Sequence, residues 1–169
     1  IADSTDINFG KVAFAIAHGA LMGARGNSGV ILSQLWRGFA RSIDNRDTLD
    51  VPSLVQALAV ARDTAYKGVV RPVEGTILTV AKDVATAAET AHFTSDNLVS
   101  LWEDIVVAAD QSVQRTPELL PVLKEAGVVD SGGKGLFFIL EGIMRYVTGQ
   151  TLETTTTAIR PLTEMILDN

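Results

Sequence analysis

The stretch Leu21-Met22-Gly23-Ala24-Arg25-Gly26-Asn27-Ser28-Gly29-Val30-Ile31-Leu32-Ser33-Gln34 sets three glycines between two apolar-periodic segments. Before it, Val12, Ile16 and Ala20, with Leu21 one position offset, return at helical spacing over residues 8–23. After it, Ile31, Leu35 and Phe39 step by four over residues 28–41 and lay one apolar stripe along a second helix. The stretch reads as the end of one helix, a glycine bend and the start of the next. The rest of the chain repeats that grammar.

A polar loop over 44–50 leads to Pro52, whose missing N–H costs nothing in the first turn of a third helix, expected to run to about residue 69. Arg71-Pro72 breaks the helical backbone. A fourth helix is expected from near Gly75, carrying Ile77, Val80, Ala81, Val84 and Ala88. Ser95 is the expected N-cap of a fifth, with Leu98, Leu101, Trp102, Ile105 and Ala109 at three- and four-residue spacing. Thr116-Pro117 reads as the N-cap and first-turn proline of a short helix that stops at Gly127. After Gly132-Gly133 a last helix carries Leu136, Ile139, Leu140, Ile143 and Val147 as far as Gly149. About seven helices joined by short loops, with no strand pattern of useful length, make an all-α class in which consecutive helices are antiparallel. Residues 1–149 are expected to form one domain, and the β-branched run 154–157 with Pro161 makes 150–169 a linker or the start of a following domain.

Composition narrows the function classes. The net charge of -6, with no two Lys or Arg residues adjacent, excludes a nucleic-acid backbone as partner. The absence of cysteine removes disulfides, thiolate nucleophiles and Cys-ligated metal sites. No apolar run is long enough for a membrane span and no signal peptide is visible, so the cytoplasm is the default expectation. His18, inside an apolar helix, reads as a core or boundary residue, and His92 follows an alanine-rich helix; neither is assigned to catalysis. Trp36 and Trp102 fall at helical spacing with other apolar residues and read as core.

Three glycine bends carry the chemistry: 23–29, Val73-Glu74-Gly75-Thr76, and Asp130-Ser131-Gly132-Gly133-Lys134-Gly135. Each precedes a helix start, where free N–H groups and the positive end of the dipole suit an anion, and glycine admits it closely by lacking a Cβ. Ser28 and Thr76 offer hydroxyls, and Asn27 an amide. Capping alone would also explain each bend taken singly, with glycine as C-cap and Asn27 or Ser28 as N-cap. None of the three has Walker A spacing or a preceding strand, so P-loop and Rossmann sites are excluded. Lys134, Arg25 and Arg71 are charges in turns, where solvated side chains are common.

At these bends the sequence resembles the ATP-binding DhaL-type domain of dihydroxyacetone (glycerone) kinases, most closely the N-terminal domain of bacterial fatty acid kinase. The resemblance rests on 21–34, on Pro-Val-Glu-Gly-Thr-Ile-Leu-Thr-Val at 72–80 and on Leu-Lys-Glu-Ala-Gly-Val-Val-Asp-Ser-Gly-Gly-Lys-Gly-Leu at 123–136. It implies an antiparallel barrel of eight helices with nucleotide at one rim. It also implies that Gly26, Asn27, Ser28 and Gly29 cradle phosphates, that Ile31 and Ile77 flank the adenine, and that Gly75 and Thr76 meet nucleotide or metal-bound phosphate. Asp130, Gly132 and Gly133 would close around base and ribose.

The family's Asp-Gly-Asp-Thr-Gly motif, which supplies carboxylates to two magnesium ions, has no counterpart here, and Asp3 and Asp6 do not match it. The Mg2+ ligands are therefore expected upstream of Ile1, in a longer protein, and the sequence as it stands is expected to bind Mg-ATP poorly. The implied activity is transfer of the γ-phosphoryl group of ATP to an acceptor held by a partner subunit, a fatty-acid carboxylate first and dihydroxyacetone second. A helical adaptor that has lost nucleotide chemistry is the alternative, the same site would also serve a phosphatase, and a homodimer is compatible with either.

Overall fold

A computed structural model describes residues 8–150 apart from 45, 94 and 96. The described residues form seven helices and no strand: α1 (Phe9–Gly23), α2 (Gly26–Ser42), α3 (Val51–Lys67), α4 (Ile77–Ala91), α5 (Leu98–Leu119), α6 (Pro121–Ala126) and α7 (Ser131–Val147). The expected linker over 151–169, like Asp3 and Asp6, lies outside the described residues.

Most helix starts carry the cap their sequence offers. Asn8, Asp50, Thr76, Asn97 and Asp130 accept first-turn amides of α1, α3, α4, α5 and α7 through their side chains. Several starts differ from expectation: α2 begins at Gly26, two residues before Ser28, and the short α6 at Pro121, since α5 continues through Pro117 to Leu119. The cap of α5 is Asn97, which accepts from Val99 and Ser100, while Ser95 turns its hydroxyl to Asp104 at 3.2 Å. And α7 begins at Ser131, because the Asp130 carboxylate takes the Gly133 amide at 2.7 Å and draws both glycines into the first turn.

Contacts between α2 and α3 run in opposite senses along the chain, as antiparallel neighbours require, and side-chain bonds join the other helices. Gln34 lies by Gly68 and Gly38 by Ala61, joining α2 to α3. Arg62 pairs with Glu89 at 3.1 Å across α3 and α4. Asp83 accepts from Ser112 and Arg115, each at 2.6 Å, across α4 and α5, and the indole of Trp102 donates to the Leu140 carbonyl at 3.0 Å across α5 and α7. The alanine faces of α3 and α4 (Ala57, Ala61, Ala65, Ala81, Ala85, Ala88) let these helices approach closely around fully buried Leu54, Leu78, Leu101 and Ile105. Each of those four larger side chains stabilises the fold by about 1.5–3 kcal/mol through burial.

Six of the helices, all but α6, line an apolar cavity of about 430 Å³. Trp36 and Trp102 stand in its wall, in keeping with a core role. His18 does not: it is exposed on α1, because the buried stripe of that helix passes through Gly10, Ala13 and Ala17 instead. Among the described residues no helix is long and apolar enough to cross a membrane.

Candidate functional site

The three glycine bends meet. A Cβ built on Gly132 would stand 2.8 Å from Ser28 Oγ, so the starts of α2 and α7 touch where Gly132 has no side chain. A Cβ on Gly133 would stand 2.8 Å from Val80 Cγ2, which brings the start of α7 onto the first turns of α4. The third link is Thr116. Its hydroxyl accepts the Asp130 amide at 3.0 Å, and its carbonyl would lie 2.9 Å from a Cβ on Gly75. Helix starts separated by a hundred residues of sequence therefore share one edge of the bundle.

Their chemistry is not equivalent. Thr76 caps α4, accepting from Leu78 at 3.3 Å and donating to the Val73 carbonyl at 2.7 Å. Asp130 caps α7. The start of α2 has no side-chain cap, its N-cap position being Arg25, whose guanidinium turns back to the Ala24 and Met22 carbonyls. Gly26, in the left-handed region at φ 64°, Asn27 and Ser28 are exposed. Asn27 and Ser28 are not caps: both lie inside the first turn of α2. This is the one long helix whose opening amides and dipole face outward without a side-chain acceptor, so it is the strongest anion-seeking element among the described residues.

The other expected site residues sit deeper. Gly29 is half-buried against Ala24, and Ile31 is half-buried against the core. Gly75, at φ 80°, is buried with Leu120 in the space a side chain would need. Ile77 is only 3% exposed and belongs to the core. Lys134 turns away from the bends, its Nζ 4.1 Å from the centre of the Phe137 ring and 3.4 Å from Asp110.

Two features of this edge escaped the sequence reading. Glu74 is a hub: its carboxylate accepts from Thr79 at 2.7 Å, Lys82 at 2.7 Å and the Tyr66 hydroxyl at 3.1 Å, while Thr79 Oγ1 also accepts the Gly75 amide at 2.8 Å. Burial pushes the Glu74 carboxyl up, but the hydrogen bonds from Lys82, Thr79 and Tyr66 outweigh it and hold the group below its ordinary value. The Tyr66 hydroxyl is raised, by burial first and then by the Glu74 charge. Glu74 and Thr79 are five residues apart, outside the i+3 and i+4 spacings that mark helical neighbours, so the sequence carries no local signal for this hub. Thr116, before a proline, has the type and place of a cap in the sequence, which conceals its link to Asp130.

A divalent cation finds no seat among these groups. Among the described residues no set of three or more His, Asp or Glu side chains is placed to hold one. The two carboxylates of the bends are committed, Asp130 to the Gly133 amide and Glu74 to its three donors. These residues alone do not fit magnesium. A Cβ built on Gly23 or Gly26 would meet open space, which leaves the uncapped start of α2 accessible to an anion.

Residues 1–145 match the DAK2 domain family. Similar proteins include the uncharacterized protein SH1689 of Staphylococcus haemolyticus, 50% identical over 146 residues that cover 86% of this chain and 26% of that protein. Another is the protein YloV of Bacillus subtilis, 51% identical over 150 residues covering 89% of this chain and 27% of YloV. A third, the uncharacterized protein SAB1090 of Staphylococcus aureus, is 49% identical over 146 residues. The chain spans about a quarter of the length of these relatives.

Proposed function

The chain belongs to the DAK2 domain family, the DhaL-type domain of dihydroxyacetone kinases, and on that footing we propose that it is the nucleotide-binding domain of a kinase. It would pass the γ-phosphoryl group of ATP to a small acceptor. The observation that supports this reading most is the meeting of Ser28 with Gly132 beside the uncapped amides of α2.

Phosphoryl transfer asks a protein for positioning and charge neutralisation more than for covalent chemistry. The first-turn amides of α2, with the Asn27 and Ser28 side chains, would receive the phosphates. Ile31 would lie against the adenine with Ile77 behind it. Gly75 and Thr76 would form the facing wall, and Asp130, Gly132 and Gly133 would close over base and ribose. The preferred acceptor is a fatty-acid carboxylate presented by a partner subunit, giving an acyl phosphate and ADP; dihydroxyacetone is the second choice. A carboxylate has no proton to surrender, so no general base is needed at this edge. Magnesium, which the described residues do not fit, would require carboxylates from outside them.

Calorimetry decides this. ADP with magnesium is titrated into the 169-residue chain and into a version carrying an upstream Asp-Gly-Asp-Thr-Gly segment. Tight binding by the second alone is expected. Equal tight binding by both would show that the upstream carboxylates are dispensable, and no binding by either would overturn the nucleotide reading.

A further inference from the structure

On the outer wall of the bundle α2 and α3 leave a polar furrow of about 560 Å³, flanked by Arg37, Arg41 and Ser42 on one side and Gln56, Thr64 and Lys67 on the other. Gly38 brings the two helices this close: a Cβ there would lie 2.6 Å from Thr64 Oγ1 and 2.7 Å from Ala61 Cα. From Gln56 to Lys67 the furrow follows α3 for about 16 Å. That is the span of roughly five residues of extended chain.

Its electrostatics run against those of the molecule. The chain has 20 acidic and 14 basic residues, yet the furrow gathers three cations and one acid, Asp63, whose Oδ1 is held by Arg62 at 2.8 Å. Among the described residues the side chains of Arg37, Arg41 and Lys67 have no ion pair or hydrogen bond. Arg41 and Lys67 lie in the last turns of their helices, where the dipole favours a cation. That accounts for their sign but not for Arg37, a turn earlier, nor for the lack of a counter-ion at all three. Ser42 Oγ, on the same wall, is shielded from solvent without a partner.

We infer that this furrow docks an extended acidic segment of a partner protein, about five residues long with at least three carboxylates. Arginine forks match carboxylates in paired hydrogen bonds, while the exposed Gln56 offers an amide to a peptide backbone. No five-residue window of this sequence holds more than two acids, so a second copy of the chain does not supply the segment. A lipid surface is flat and would want exposed apolar anchors, and the furrow has none of the large exposed apolar side chains. A nucleic acid would meet the net charge of -6 on either side of a short cationic stripe. Arg37 is ten residues beyond Asn27 along α2, about 15 Å, so docking here leaves the glycine bends free.

The test is fluorescence anisotropy on the full 169-residue chain without nucleotide, so its outcome is separate from that of the ADP titration. The probe is a fluorescein-labelled Gly-Glu-Asp-Glu-Glu-Gly peptide. Its lysine counterpart, vesicles of phosphatidylglycerol and phosphatidylcholine, and a single-stranded oligonucleotide serve as the other arms. The acidic peptide is expected to bind in a salt-sensitive manner, and R37E/R41E to weaken it about tenfold or more, while the charge-matched R71E/K124E leaves it unchanged. R37Q/R41Q, which removes the charge without reversing it, gives the same readout should the reversed pair unfold. Equal binding of the two peptides, equal loss in the control pair, or binding of vesicles or oligonucleotide in place of the peptide would overturn the assignment.

Discussion

The Thr116 hydroxyl accepts the Asp130 amide at 3.0 Å while donating to the Val113 carbonyl at 2.7 Å. Val113 is the residue whose carbonyl the amide of position 117 would serve in a continuous helix, and Pro117 has no amide to give. Thr116 thus carries α5 through its proline and fastens the start of α7 with one buried group.

Thr116→Val keeps the shape and removes both bonds. It should cost about 1–3 kcal/mol, since the Asp130 amide loses its acceptor in a half-buried place. Urea unfolding measures the loss. Unchanged stability would mean that α7 is seated by Gly133 on Val80 alone.

Gly132→Ala tests the contact between the two outer bends. The new Cβ stands 2.8 Å from Ser28 Oγ, which can rotate away, and 3.2 Å from Ser28 Cβ, which cannot, so the fold should lose about 1 kcal/mol. In the version with the upstream aspartate segment, ADP affinity should fall about tenfold or more as Ser28 is displaced. An affinity within about twofold of the parent would show that Ser28 and Gly132 do not face the nucleotide.

Gly75→Ala is the damaging counterpart. At φ 80° any side chain is strained, and the Cβ would also stand 2.7 Å from Leu120 Cβ. A loss of about 2 kcal/mol or more is expected, read as a drop in melting temperature of several degrees. Gly127→Ala is the comparison, with a similar φ of 66° but open space around the Cβ; it should cost less.

Glu74 makes stability fall toward acid. Its carboxyl is held below the ordinary 4.5 in the folded state, so its contribution is complete above that value and disappears as pH drops through the lower folded one. Glu74→Gln should lower the melting temperature at pH 7 and flatten the acid limb of the pH profile. Parallel profiles for the two proteins would show that the hub around Thr79, Lys82 and Tyr66 is energetically idle.

The helices were legible because periodicity and caps agree over most of the chain: Pro52 and Asp50 at the start of α3, or Gly127 in the left-handed region at the end of α6, act as their types dictate. The reading failed where a side chain replaced a backbone group. Thr116-Pro117 has the form of a helix start, yet α5 continues to Leu119 and the new helix waits for Pro121, because the Thr116 hydroxyl serves the carbonyl that Pro117 leaves open.

At the bends, glycine spacing marked the places and the resemblance implied their convergence on one rim, while the contact that joins two of them rests on Ser28 and Gly132, far apart in the sequence. The spacing did not mark which bend is uncapped. Arg25 is not a capping type, and that was the local clue; Asn27 and Ser28 beside it drew the reading instead. Ile77, which the resemblance sets beside the adenine, is almost wholly buried, and that burial follows from the apolar run Ile77–Leu78 at the start of α4.

The bare start of α2 has a further consequence. A helix without an acceptor over its first amides frays, so the N–H groups of residues 26–29 should trade hydrogen for deuterium quickly in the free protein. An anion seated there would complete the helix and slow that exchange, and the chain would register occupancy as the ordering of a single turn.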